Sequence, residues 1–471
     1  MQNQSIDFPQ SVPPLSYENK HLSSTRSITT DESISKVFWR YAIPSVAAMV
    51  VNGLYQVIDG IFVGHYVGFE GLAGINMTMP IMGVIIGLGL MIGMGGGSLI
   101  SIYRGQGAAH KANAILINSL YLIVLFAGLS TLLISNFGGV LLNLQGAAGN
   151  TLSHSMNYLS IFSWGAGFAI SAAVIPMLIR NDNSPNFATG LMVFGALVNI
   201  VLDYLLIGVY SMGLQGAAIA TVIAQCLVFS VGMIYFFSSK AQTKLTLKGL
   251  NFKSSVAIKI IKLGASSLFM FLYFGLVIAL HNKLLMVYGS PVSVAAFAII
   301  GYIATLYYVT AEGIANGMQP PVSFYFGAKQ AEKIQATVIL ALKIVVYSGI
   351  AIVVILNIFP DFFIGLFSQA DIELAIETQQ GLRLHLFALC LDGFLFIATV
   401  YCMSVNQGAK ALSISIGNIV LQLPFLYLLP QWLGIDGVWL SLPLSNVLLT
   451  LIVVPMLWRD MQKMSKPTLQ N

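Results

Sequence analysis

Apolar residues along this chain do not alternate with polar ones. They accumulate in runs of about 20 or more, long enough to cross a hydrocarbon layer as helices. In the first half the runs cover 37–62, 73–102, 114–137, 156–179, 187–209 and 213–237. In the second they cover 263–286, 292–324, 334–359, 384–403, 412–429 and 438–457. Clusters that end helices separate them, among them Asn181-Asp182-Asn183-Ser184-Pro185 and Gly289-Ser290-Pro291. The pattern predicts an all-α polytopic membrane protein with twelve transmembrane helices.

The second half repeats the first. Tyr103-Arg-Gly-Gln-Gly107 follows the second run and Tyr325-Phe-Gly-Ala-Lys329 follows the eighth. Asn199-Ile-Val-Leu-Asp203 then Gly213-Leu-Gln-Gly216 is echoed by Asn418-Ile-Val-Leu-Gln422 then Gly434-Ile-Asp-Gly437. Each half holds an even number of runs, so the repeats share an orientation and an axis along the membrane normal relates them. The expected organisation is a disordered cytosolic tail (1–36), a six-helix N-lobe (37–239), a cytosolic connector (240–262), a six-helix C-lobe (263–458) and a cytosolic C-terminal tail (459–471). A cleft between two such lobes is how secondary transporters alternate access.

Composition narrows the class further. Charged residues make up 8% and hydrophobic ones 57%, against about 25% charged in soluble domains. All 22 Lys and Arg except Lys283, Lys343 and Arg383 fall in the terminal segments or in alternate loops. By the positive-inside rule both termini are cytosolic. The net charge of +5 is therefore a topology signal, and no nucleic-acid partner is expected. The lysine-rich connector reads as a solvated loop, with anionic lipid as the alternative ligand. Cys226, Cys390 and Cys402 lie in apolar runs without metal or disulfide spacing and read as packing residues. The first 35 or so residues hold no apolar core and are neither signal peptide nor span.

Four acids interrupt the runs: Asp59, Asp203, Glu312 and Asp392. An ionisable group at membrane depth costs a few kcal/mol, so one that persists usually faces a wet cavity. On the first helix Asn52, Tyr55 and Gln56 share the face of Asp59, and Pro44 lies about four turns earlier as a point of bending. On the fifth, Asn199 lies one turn before Asp203. Helix directions put Asp59 and Asp203 at similar depth, with Thr221 on the sixth helix reaching that level and Gln225 one turn below. Such a cluster serves either as a proton site, because desolvation and mutual repulsion favour the protonated form, or as an oxygen cage for a hard cation such as Na⁺ at Asp59, Asn199, Asp203 and Thr221. The bland alternative is polar glue between helices. In the aligned C-lobe Asp59 falls near His281 and Asp203 becomes Gln422, so the N-lobe is nominated for coupling. Glu312, near Asn316, is a candidate for the cavity wall. Lys343, near a helix end, reads as a snorkelling residue.

Enzyme motifs fail. Gly93-Met-Gly-Gly-Gly-Ser98 lacks the Lys-Ser/Thr ending of a phosphate loop and lies inside a span, where close helix packing accounts for it. There is no HExxH pair and no His/Cys set with metal spacing, so neither an enzyme, a resident metal nor a cofactor is expected.

The chain resembles the multidrug and toxic compound extrusion (MATE) family over nearly all of 37–457. The resemblance is carried by the duplication, the pattern Pro44…Asn52-x-x-Tyr55-x-x-x-Asp59, the pattern Asn199-x-x-x-Asp203, Thr221, and the Gly-Ala loops after the second and eighth helices. It implies cation-driven efflux of amphipathic, often cationic, organic compounds. It also implies proton or Na⁺ binding at Asp59 and Asp203 with Tyr55, Asn199 and Thr221 as partners, and a bend at Pro44. Some branches place a second cation site in the C-lobe, beginning with a glutamate on the seventh helix. Here that helix has no acid, which is more similar to the DinF-like branch and favours protons. The expected partners are small organic molecules and the lipid bilayer, with no obligate protein partner. The alternatives are a Na⁺-coupled antiporter, a flippase for lipid-linked oligosaccharides, and a membrane receptor or scaffold.

Overall fold

The computed structural model describes residues 32–145, 147, 149–245, 251–365 and 372–465. Most of the expected N-terminal tail and the end of the C-terminal tail lie outside the described residues. The N-lobe is built from α1 (Ile34–Tyr66), α2 (Phe69–Gly105), α3 (Ala109–Leu144), α4 (Gly149–Asn181), α5 (Pro185–Asp203) and α6 (Gly213–Phe237). The C-lobe is built from α7 (Ser254–Tyr288), α8 (Pro291–Gly327), α9 (Ala331–Ile358), the short α10 (Pro360–Gly365), α11 (Ile372–His385), α12 (Leu389–Ser404), α13 (Gly408–Leu433) and α14 (Ile435–Ser465). Among the described residues there is no strand.

Eleven of these helices are each long and apolar enough to cross a membrane, and α11 with α12 form a twelfth path bent by 47°. The tenth span therefore differs from the expected run of 384–403. It begins at Ile372 and is broken between His385 and Leu389. Several helices also outrun their apolar segments. α7 starts at Ser254, inside the expected connector of 240–262, and α14 continues to Ser465, past 458. A helix satisfies its own backbone, so it has no reason to stop where the hydrocarbon does. Local chemistry sets the ends: proline opens α5, α8 and α10, and Ser290 with Ser293 forms a capping box on α8.

The duplication is visible in the backbone. Left-handed residues recur at matching turns: Gly107 (φ 70°) and Lys329 (φ 58°) after the second span of each lobe, Asn183 (68°) and Asn406 (60°) after the fourth, Gly213 (58°) and Gly434 (59°) before the sixth. The glycine run of α2 packs as expected, with each glycine meeting a different neighbour. Gly93 faces Met177, Gly95 crosses Gly264, Gly96 lies on Ser119 and Gly97 on Asn181.

The lobes meet along α1 with α8 and α2 with α7 and α8. Their tightest approaches lie toward one end, where α1 and α7 begin and α2 and α8 finish. A Cβ at Gly313 would sit 2.5 Å from the Cα of Val46, and one at Gly317 2.5 Å from that of Ala42. Further along the same helices a Cβ at Gly53 would be 3.8 Å from Val309. Beyond that point Leu54, Val57 and Ile61 of α1 and Tyr302 and Leu306 of α8 are exposed. The loops at the closed end carry Arg104, Lys111, Lys240, Lys329 and Lys410, so it is called the basic side below.

Candidate functional site

Asp59 lies seven residues before the end of α1, about 10 Å along the axis from it. Asp203 is the last α-helical residue of α5, where the chain passes into a π turn over Tyr204–Val209. Such turns often occur at functional sites. Both acids therefore stand in the N-lobe away from the basic side. The two carboxylates interact electrostatically, and both also act on the phenol of Tyr55. Asn199 Nδ2 donates to Thr221 Oγ1 at 3.4 Å, one turn before Asp203. Asp59, Asp203, Tyr55, Asn199 and Thr221 are thus brought together.

A sixth member, Tyr158 of α4, was not anticipated. Its buried ring lies within electrostatic reach of Asp59, Asp203 and Tyr55, and its hydroxyl lies beside Thr221. The depth argument that selected Thr221 selects Tyr158 equally, since it stands early on a helix running the same way. The serines of that helix are not part of the cluster. Ser163 and Ser171 donate to Ser160 and Gly167 carbonyls in their own helix.

The donors and acceptors of the cluster do not balance. Asp59 Oδ1, both carboxyl oxygens of Asp203 and Asn199 Oδ1 are buried without a protein hydrogen-bond partner. Gln225 Oε1, one turn from Thr221, is in the same condition. Buried acceptors left without donors are costly and rare. A pocket of this kind takes a species that brings positive charge or a hydrogen, either a proton on a carboxyl oxygen or a small hard cation.

Other candidates lie elsewhere. Gln56 is exposed and bonds the neighbouring Tyr55, while Asn52 is half-buried. No hydrogen bond ties Asn52 or Gln56 to the acids among the described residues. α1 runs unbroken through Pro44, whose carbonyl accepts from Thr189 of α5 at 2.7 Å. Glu312 belongs to the lobe interface, beside Asn316 and within electrostatic reach of Arg180 of α4. Arg180 is buried in the last turn of α4. Lys343 is exposed.

The C-lobe holds its acid differently. Asp392, just after the break in the tenth span, accepts from Tyr308 Oη at 2.9 Å through Oδ2 and from Asn446 Nδ2 through Oδ1. His281, which aligns with Asp59, is buried with Nδ1 on the Val277 carbonyl and its ring stacked on Phe297. His385 packs edge-on against it. Gln422, which aligns with Asp203, is buried.

The MatE family profile matches residues 44–205 and 253–428. The multidrug export protein MepA of Staphylococcus saprophyticus is 25% identical over 444 residues, 93% of this chain and 97% of that one. The protein of the same name from Staphylococcus aureus strain MRSA252 is 23% identical over 431 residues, 91% and 94% of the two chains. Among solved structures, a MOP superfamily transporter from Pyrococcus furiosus superposes with a TM-score of 0.86 at 24% identity, covering 93% of this chain and 98% of that one. A structure described as the outward-facing conformation of a multidrug resistance MATE family transporter gives the same values.

Proposed function

The chain belongs to the MatE family, and from that premise we propose that it exports amphipathic, often cationic, organic compounds by proton-coupled antiport. It does so across the bacterial cytoplasmic membrane, with both termini in the cytosol. The names of the MepA relatives support the multidrug class. The absence of an acid from α7 supports protons and the DinF-like branch.

The observation that carries the reading is the acceptor-rich pocket of Asp59, Asp203 and Asn199, ringed by Tyr55, Tyr158 and Thr221. With the basic side cytosolic, the contacts near Gly313 and Gly317 close the inner face and the pocket is reached from outside. Protons load the two carboxyls there and convert acceptors into donors. The new hydrogen bonds draw α1 and α5 together, and α1 yields at Pro44, where the Arg40 carbonyl has lost its helical donor. The Thr189 bond to the Pro44 carbonyl ties that turn to the helix carrying Asp203. The cavity contracts and drug leaves. Return to the inward state releases the protons and admits drug. Coupling follows because drug and proton favour different states.

A second reading, Na⁺ coupling, rests on the same oxygens, with Asp59, Asn199, Asp203 and Thr221 as ligands. The flippase reading needs a cationic cavity for pyrophosphate, and the one arginine buried among the described residues, Arg180, is opposed by Glu312. The deciding measurement is efflux of a fluorescent organic cation from reconstituted vesicles under separately imposed proton and sodium gradients. A proton gradient alone should drive flux, and Asp59→Asn should abolish it while the protein elutes as before. Flux driven only by sodium transfers the site to Na⁺. Undiminished flux in Asp59→Asn removes the site.

A further inference from the structure

The closed face of the cleft is held by a polar contact that the coupling site does not use. The turn Asn181-Asp182-Asn183, between α4 and α5, is fixed by α1, α2, α6 and the connector of its own lobe. Tyr41 of α1 donates to Asn183 Oδ1 at 2.7 Å. Ser101 of α2 donates to Asn181 Oδ1 at 2.7 Å, and Arg104 to the Asn181 carbonyl at 2.6 Å. Asp182 accepts from Tyr235 of α6 at 2.8 Å and from the backbone amides of Gln242 and Thr243 in the connector at 2.8 and 2.7 Å. The N-lobe thus presents a preformed socket.

One side chain of the other lobe enters it. Gln319 of α8 is buried, and its amide pairs reciprocally with that of Asn181. Asn181 Nδ2 donates to Gln319 Oε1 at 2.9 Å, and Gln319 Nε2 donates to Asn181 Oδ1 at 3.0 Å. The same Nε2 reaches Ser98 Oγ of α2 at 3.0 Å and Ser323 Oγ of its own helix at 3.1 Å. Gly97 leaves room for the Asn181 amide, and Gly317, two residues before Gln319, lets α8 close on Ala42. A neutral amide is suited to the place. It donates and accepts at once, whereas a carboxylate there would face the oxygens of Asn181 and Ser98 with no hydrogen to offer.

We propose that Gln319 is a positioning residue for transport: it plugs the Asn181 socket and holds the basic side shut, so that opening to that side requires both amides to part. The proposal rests on the alternating-access reading above and adds the residue that biases its equilibrium. Gln319 touches neither the acids nor the cavity mouth, so its loss changes which way the protein faces and leaves the coupling site intact.

The test is a distance measurement on the full chain in lipid nanodiscs, with Cys226, Cys390 and Cys402 replaced by serine. Spin labels on His110→Cys and Glu332→Cys, both exposed on the basic side, report the gap between lobes by pulsed electron resonance without drug or ion gradient. Gln319→Ala should raise the ratio of long to short distances about tenfold, the loss of roughly two net hydrogen bonds. Gln319→Glu should raise it at least as far. Ser98→Ala, which removes one bond from the N-lobe side without touching α8, should give a smaller rise in the same direction. In the double variant Asn181→Ala with Gln319→Ala the second change should add little. Unchanged distances in Gln319→Ala and Gln319→Glu, in protein that elutes normally, overturn the plug whatever the flux assay shows. Failure of wild-type flux under any gradient, with the distances still shifting, overturns the antiport reading and leaves the plug standing.

Discussion

In the C-lobe, Asp392 has a hydrogen-bond donor on each carboxyl oxygen, from Tyr308 and from Asn446. In the N-lobe, Asp203 is fully buried where Asp392 is half-buried, and has a protein donor on neither oxygen; Asp59 Oδ1 shares that condition beside it. The two lobes are copies of one design, down to the left-handed turns at Asn183 and Asn406, yet they handle buried acids in opposite ways. A carboxylate whose oxygens are all engaged by the protein has become part of the packing. One whose oxygens have no protein donor is free to take a proton or a cation.

The sharpest way to break the comparison is to neutralise one acid in each lobe. Asp203→Asn should reduce gradient-driven efflux to the level of empty vesicles, while Asp392→Asn, which keeps an oxygen for Tyr308 or Asn446, should leave flux near wild type. Loss of flux in both, with both proteins folded, would erase the distinction. Stability should move the other way. Asp392→Ala strands the Tyr308 hydroxyl and the Asn446 amide, costing about 2–3 kcal/mol, seen as a lower thermal midpoint in detergent. Asp203→Asn, which removes a buried charge without a donor, should hold or raise that midpoint. A smaller effect sharpens the N-lobe side: Tyr158→Phe removes one hydroxyl from the pocket and should weaken coupling-ion affinity about fivefold, roughly 1 kcal/mol, read from the concentration of driving ion at half-maximal flux. Asp392 variants should not shift it. The smallest effect compares the matched turns themselves. Lys329 holds the left-handed conformation that Gly107 holds in the first repeat, so Lys329→Gly should stabilise the protein by roughly 1 kcal/mol, measured by thermal unfolding, and Gly107→Lys should cost about as much.

Much of this was legible before any fold was known. Runs of apolar residues announced the spans, and the echo of Asn199…Gly216 in Asn418…Gly437 announced the lobes. Asp59, Tyr55, Asn199, Asp203 and Thr221 were selected from helix periodicity and depth alone, and the structure brings them together. Tyr158 is within reach of the same depth reasoning, since it stands as early on α4 as Thr221 does on α6. Gln56 was placed with the acid from a helical-face argument that spacing cannot refine, since exposure depends on what packs alongside. The Asn181-Asp182-Asn183 turn read as a helix terminator, which it is. That it also anchors α1, α2, α6, the connector and Gln319 depends on residues up to 142 positions away. The break before Leu389 carries no proline or glycine signal at its own position.

By itself, then, the sequence determined how many times the chain crosses the membrane, which segments repeat and which polar residues stand at membrane depth. Lipid offers the backbone no partners, so each span must be written in its own residues. Only the tertiary structure decided that Asp392 is engaged and Asp203 is not, and that α1 and α8 approach most closely at Gly313 and Gly317. Whether a buried oxygen finds a donor is settled by which helix lies across from it, and no local pattern of residues records that.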